Sequence, residues 1–185
     1  MGSKYAATGS LSLLPRSHER IAFVGLPCQM MGVMHAQERG LLPEVALRVG
    51  LFCTKAFHQD RLNERLSSLG VDVGDIERMD IRDKLHVTFK DGTQEQIALS
   101  KLDGCAMGGC DHCTDFVCHH CDIAFGSAGT GDGYTTVIVR TDTAATLFDR
   151  AVEKKYIVAD DEVVVAEIER LQGRKLSRGN HGQDH

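Results

Sequence analysis

Five cysteines crowd into residues 105 to 121 of this 185-residue chain, spaced C-x4-C-x2-C-x4-C-x2-C as Cys105, Cys110, Cys113, Cys118 and Cys121. A run so dense in thiols reads as a loop organised by metal or redox chemistry rather than as a regular element. Two more, Cys28 and Cys53, stand alone and make the total seven. An odd count suits a disulfide framework poorly, and secreted scaffolds of that kind are usually shorter. No export signal is visible, since Leu11 to Leu14 is too short for a signal-peptide core and is stopped by Pro15, Arg16, His18, Glu19 and Arg20. The most apolar stretch, Val45 to Cys53, is broken by Arg48 and is about half a bilayer span. The expected address is the reducing cytoplasm, where clustered cysteines serve metals or electrons.

Charge narrows the partners. Lys and Arg number 21 against 26 Asp and Glu, a formal net charge of -5, and no basic stripe gathers on any segment. A surface that neutralises nucleic-acid phosphates is therefore not expected. With 42% hydrophobic and 25% charged residues, the composition is that of a folded globular chain whose length suits one domain. The expectation is a single domain over residues 1 to 175 and a flexible tail over 176 to 185, with fraying from Gly173 onward.

Periodicity gives an α/β (α+β) fold, with strand-turn-helix units plus a small antiparallel meander. Arg20 to Val24 reads as a strand, Gly25 to Gln29 as a tight turn, and Met30, Val33, Met34 and Gln37 as a short helix stopping at Gly40. Val45 to Phe52 repeats the plan, with Cys53 after the strand and Leu62, Leu66 and Leu69 at helical spacing within 59 to 69. Residues 76 to 81, 85 to 89 and 94 to 99 nearly alternate, and Asp91-Gly92 is a hairpin signal. The 105 to 121 segment then reads as loop, Gly126 to Gly133 as glycine-rich, Thr135 to Arg140 as a strand, and 143 to 156 and 163 to 171 as helices.

Thiolates suit iron-sulfur cores, and a C-x2-C turn can aim two sulfurs at one core. Cys105, Cys110 and Cys113 match a C-x4-C-x2-C opening of that kind. Zinc is the structural alternative, closed by two C-x2-C pairs, with His112, His119 and His120 as further candidate ligands. Thiol redox chemistry is a third reading. Cys28 and Cys53 are either core thiols or, from their shared position just after a strand, members of one site. The glycine run from Gly126 to Gly133 is not a dinucleotide fingerprint, because a strand rather than a helix follows it.

Several motifs occur together and in order: Gly2-Ser3-Lys4-Tyr5, Ala22 to Gln29, Gly50-Leu51-Phe52-Cys53, Cys110-x-x-Cys113-Thr114-Asp115-Phe116, Asp122-Ile123 with Gly126-Ser127-Ala128-Gly129, and Thr135 to Thr141. Over residues 2 to 175 this resembles the C-terminal domain of the beta subunits of coenzyme F420-reducing hydrogenase and F420-dependent formate dehydrogenase. The resemblance implies an oxidoreductase subunit that holds FAD and a [4Fe-4S] cluster, with coenzyme F420 as substrate. It places the cluster on Cys28, Cys53, Cys110 and Cys113. It places the flavin against Ser3, Lys4, Tyr5, Gly126, Ser127 and Gly129, with Thr135, Thr136 and Arg140 nearby.

Family members usually carry an upstream region before the Gly-Ser-Lys-Tyr motif, so either the chain is a truncated or split form or Met1-Gly2-Ser3 is partly foreign to it. Between Phe116 and Asp122 they commonly have acidic and small apolar residues, where this chain has Val117-Cys118-His119-His120-Cys121. That pair is either an extra ligand pair or two incidental thiols. Cys105, Cys118 and Cys121 do not make a second complete four-cysteine set, so electrons need an outlet. A redox partner subunit is expected, a hydrogenase, formate dehydrogenase or similar, with no nucleic acid and no membrane span. The alternative function is a zinc-stabilised, non-catalytic interaction module.

Overall fold

The computed structural model describes residues 20–81 and 84–181. Seven strands and four α-helices follow in the order β1 (Ile21–Gly25), α1 (Pro27–Glu38), β2 (Val45–Leu51), α2 (Gln59–Ser68), β3 (Ile76–Ile81), β4 (Lys84–Phe89), β5 (Gln94–Ala98), β6 (Ile123–Gly126), β7 (Thr136–Val139), α3 (Asp142–Glu153) and α4 (Val165–His181). The mixed α/β class and the separate antiparallel meander are as the sequence indicates. The described residues divide into two compact units, one spanning Lys55–Cys110 and the other formed by residues 20–54 and 111–181.

The second unit is a four-stranded sheet in the order β1-β2-β6-β7. β1, β2 and β6 are parallel, and β7 pairs antiparallel on β6. Helix α1 makes the crossover between β1 and β2, while the crossover from β2 to β6 contains the whole of the other unit. Leu26 caps α1 in an extended conformation, Pro27 takes the first helical position, and Gln29 Oε1 accepts the Leu26 N–H at 2.8 Å. Helix therefore begins before Cys28, which lies in its first turn and not in a preceding loop. Met30 and Val33 from α1 pack on Phe23, Val45 and Ala124, with Cys118 and Cys121 in the same core.

Asp122 ties this sheet together at the start of β6. Its Oδ2 accepts the Arg48 N–H at 2.7 Å and its Oδ1 meets the Arg48 guanidinium at 3.3 Å. Strand β6 itself is not anticipated by sequence, because Ile123-Ala124-Phe125 is too short to show a period.

Of the expected tail, residues 182 to 185 lie outside the described residues, and the fraying expected from Gly173 is not found before them. Helix α4 continues through Gly173 to His181. Gly173 is tolerated inside a helix at modest cost, and Lys175 beyond it is buried with its Nζ donating to the Cys53 carbonyl. Tertiary packing decides where this helix ends.

In the first unit β3, β4 and β5 form an antiparallel meander in sequential order. The hairpin turn is set by Asp91, whose Oδ1 accepts from the Thr93 N–H at 2.9 Å and its hydroxyl at 2.6 Å, and by Gly92 at φ +84°. Leu62 and Leu66, one helical turn apart on α2, close its core with Val71, Leu85, Val87, Ile97 and Leu102.

Candidate functional site

The register of the parallel β1–β2 pair sets Gly25 opposite Gly50. Each chain leaves the sheet at the same, carboxyl end, and each bears a cysteine three residues later, Cys28 and Cys53. Ligand sites in open parallel sheets form at that end. Cys28 is exposed at the N-terminus of α1, where helix N–H groups favour a thiolate. Cys53 is half-buried, its N–H donating to the Phe116 carbonyl at 3.0 Å.

That bond lays the segment after Cys113 against the residue after β2. Helix α4 holds the same segment from the other side. Gln172 donates from Nε2 to the Thr114 carbonyl at 2.8 Å and accepts the Phe116 N–H at 2.9 Å. At Gly179 a Cβ would stand 2.6 Å from the Thr114 methyl and 3.3 Å from the Cys113 carbonyl, so the helix backbone comes close. Arg178 donates to the Thr54 carbonyl at 2.8 Å. Gln172, Lys175 and Arg178 are site residues that sequence reading misses. Their only signal is polar side chains at three-residue spacing across Gly173.

Of the four expected cluster ligands, Cys28, Cys53 and Cys113 thus belong to one unit. Cys110 belongs to the other, where its Sγ accepts the Ala56 N–H at 3.3 Å. Backbone N–H bonds to sulfur are what a cluster thiolate receives, and four thiolates without carboxylates are the donor set of an iron-sulfur core. The match is one of donor chemistry.

Neither these cysteines nor the neighbouring histidines make a single-ion site: among the described residues no group of three or more His, Cys, Asp or Glu is arranged to hold a metal ion. His119 is committed to Asp115, whose Oδ1 lies 2.8 Å from Nδ1 and whose Oδ2 accepts the His119 N–H at 2.9 Å.

Cys118 and Cys121 are buried in the sheet core, and Gly50 is the residue that makes room for them. A Cβ on Gly50 would stand 2.5 Å from the Cys118 Sγ and 2.6 Å from the Cys121 Sγ. Arg140 leans over this pair, donating from Nη1 to the Cys121 Sγ at 3.2 Å and from Nη2 to the Val117 carbonyl at 2.9 Å. The hydrogen bond from Cys118, then the charge of Arg140, hold the Cys121 thiol down to about 7 against burial. The same hydrogen bond, together with burial, pushes the Cys118 thiol up.

Ser3, Lys4 and Tyr5 lie outside the described residues. The other expected flavin residues are occupied within the fold. Gly126 ends β6 with the Phe52 ring lying where its Cβ would be. The Gly129 N–H is bonded to Glu167 at 3.2 Å, and the buried Thr136 hydroxyl donates to the Ala128 carbonyl at 2.6 Å. Ser127 and Thr135 are exposed. A hollow of about 580 Å³ opens beside Gly129, Thr130 and Gly131, but Asp161, Glu162 and Glu167 line it. Carboxylates there would repel a diphosphate, so the described part of this loop does not fit a flavin's phosphates.

A family profile describing the C terminus of the coenzyme F420 hydrogenase/dehydrogenase beta subunit matches residues 18–164. The chain belongs to that family. Among its relatives, the coenzyme F420-dependent sulfite reductase of Methanocaldococcus jannaschii is 33% identical over 95% of this chain and 30% of that protein. The F subunit of the F(420)H(2) dehydrogenase of Methanosarcina mazei is 30% identical over 86% of this chain and 47% of its own length. The beta subunit of the coenzyme F420 hydrogenase of Methanothermobacter thermautotrophicus is 31% identical over 82% and 58%. Among solved structures, a chain of the F420-reducing [NiFe] hydrogenase complex of Methanosarcina barkeri superposes with a TM-score of 0.80 at 26% identity, covering 93% of this chain and 64% of that one. This member of the family therefore spans between about a third and three fifths of the curated relatives named here. No described helix is long and apolar enough to cross a membrane.

Proposed function

We propose that this chain is the electron-transfer segment of an F420-linked oxidoreductase subunit, with Cys28, Cys53, Cys110 and Cys113 holding one [4Fe-4S] cluster. The observation that carries the reading is the Gly25–Gly50 register, which delivers two isolated cysteines at one sheet end. Cys113 joins them through the bond between Cys53 and Phe116. Cys110 is added from the C-x2-C spacing. The names of the relatives support coenzyme F420 as the hydride carrier.

A bound cluster would supply one-electron transfer, and a flavin would supply the exchange between hydride pairs and single electrons. The chain's own residues act around that chemistry. Cys28 stands in the first turn of α1, and the Ala56 N–H donates to the Cys110 sulfur. Lys175 holds the Cys53 carbonyl and puts a buried positive charge beside ligands that are all negative. The flavin is kept in the proposal on the redox argument and on the resemblance, with Ser3, Lys4 and Tyr5 as its contacts, and without the glycine loop as a phosphate cradle. A redox partner is part of the reading, since one cluster needs an outlet, and the reducing cytoplasm is where such thiolates persist.

Anaerobic purification followed by iron, sulfide, zinc and flavin analysis and a visible spectrum tests this. A brown protein with iron and sulfide near four per chain, and with flavin, is the expected result. A colourless zinc protein would replace the proposal with the interaction-module reading.

A further inference from the structure

Cys118 and Cys121 lie in the sheet core and outside the proposed cluster. Structural thiols in a core behave as small hydrophobes and need no partner charge. Here Cys118 is 0% and Cys121 4% exposed, yet a guanidinium is brought onto one sulfur. Both sulfurs sit over the Cα of Gly50, within 2.5 and 2.6 Å of one point, so they are at most about 5.1 Å apart by the triangle inequality. The C-x2-C turn that carries them is held in an unusual conformation, with Cys118 at φ +58°. A non-glycine residue there is uncommon and is a mark of turns with a function.

We propose that Cys118 and Cys121 form a reversible dithiol/disulfide centre, a two-electron site that exchanges with low-molecular-weight disulfides. The polarity of the pair gives the order of events. Cys121, with the Arg140 guanidinium on its Sγ, carries the thiolate once its own hydrogen bond to the Cys118 carbonyl is given up, and attacks; Cys118 resolves. With a linear disulfide R-S-S-R, the Cys121 thiolate forms a Cys121–S–S–R bond and expels R–S⁻. The Cys118 thiol then attacks Cys121 Sγ, forms the Cys118–Cys121 disulfide, and leaves R–SH carrying its proton. The two cysteines are oxidised by two electrons and R-S-S-R is reduced by two. Exchange requires the 117–121 turn to open, and its exit is short: His119, between the two cysteines, has a side chain 56% exposed.

The test uses the full chain, kept anaerobic and incubated with 2-hydroxyethyl disulfide and its thiol at graded ratios, then alkylated, cleaved at Asp115 and Asp122, and weighed. The expected result is a Cys118–Cys121 linkage that appears and reverses with the ratio. Cys118→Ser should trap 2-hydroxyethanethiol on Cys121, and Cys121→Ser should trap little on Cys118. Arg140→Met should slow linkage about threefold, because a smaller thiolate fraction is partly offset by greater intrinsic nucleophilicity; Arg140→Lys should restore most of the rate. Two separately alkylated thiols in folded parent chain at the most oxidising ratio, or linkage to Cys105 or Cys113 instead, would overturn the proposal. That readout needs no variant, so a substitution that fails to fold does not shield it.

Discussion

Gly25 and Gly50 face each other across the parallel β1–β2 ladder, and each is followed at the same offset by a cysteine. A one-residue slip would move one of the two to another level, so the ladder itself sets the spacing of the candidate ligands. On its other side β2 is tied to β6 by Asp122, through the Arg48 backbone and guanidinium. Asp122→Asn keeps the shape and removes the charge. It should lower stability by about 1 to 3 kcal/mol, the worth of a charged hydrogen bond, read as a fall in the urea midpoint at unchanged slope.

Two glycines, one ending β6 and one in the loop after it, separate packing from ligand contact. At Gly126 an added methyl meets the Phe52 ring, whereas nothing lies within 4 Å of one at Gly131. Gly126→Ala should destabilise by about 1 to 3 kcal/mol or more, and Gly131→Ala by about 0.5 kcal/mol or less. Thermal denaturation of the two variants checks the contrast, and equal losses would mean that the Phe52 contact does not set the requirement.

Lys175 is buried on the Cys53 carbonyl. Lys175→Met leaves that carbonyl without its donor and should cost about 1 to 3 kcal/mol. If the α4 contact orders the residues after β2, amide exchange at 53 and 54 should rise in the variant while exchange in β4 stays as it was.

Cys121 gives a pH dependence whose sign follows from its depressed value. Folded, it titrates at about 7; unfolded, at its ordinary 9.0. The unfolded chain therefore binds more protons between those values, so Cys121 contributes stability that grows as pH rises from about 7 to 9 and is lost as pH falls through 7. Cys118 is raised, so its opposing contribution begins only above its ordinary 9.0. The ultraviolet thiolate absorbance should show a transition near 7 that disappears in Cys121→Ser and moves upward in Arg140→Met.

What sequence could show here follows period and punctuation. The meander was legible because β-alternation and Asp91-Gly92 are local signals, and the two post-strand cysteines were legible because each follows a short apolar run. Strand β6 was not, being four residues whose partner strands lie some 70 positions earlier and a dozen later. Helix α4 past Gly173 was not, because its warrant is tertiary: Lys175, Arg178 and Gly179 all act on residues from other segments. Arg140 reads in sequence as a strand-end charge beside a cofactor, and only the fold shows its guanidinium on Cys121.

The central claim is that Cys28 and Cys53, far apart in sequence, serve one cluster with Cys110 and Cys113. Iron and acid-labile sulfide per folded chain, measured after anaerobic purification for the parent, Cys28→Ser, Cys53→Ser and Cys105→Ser, tests it most directly. The account predicts that the first two variants lose most of their iron and much of their folded yield together, because cluster binding and folding are coupled, while Cys105→Ser keeps parent levels. Full iron retention in Cys28→Ser and Cys53→Ser, with loss in Cys105→Ser, would contradict it and put the metal wholly within the local cysteine loop.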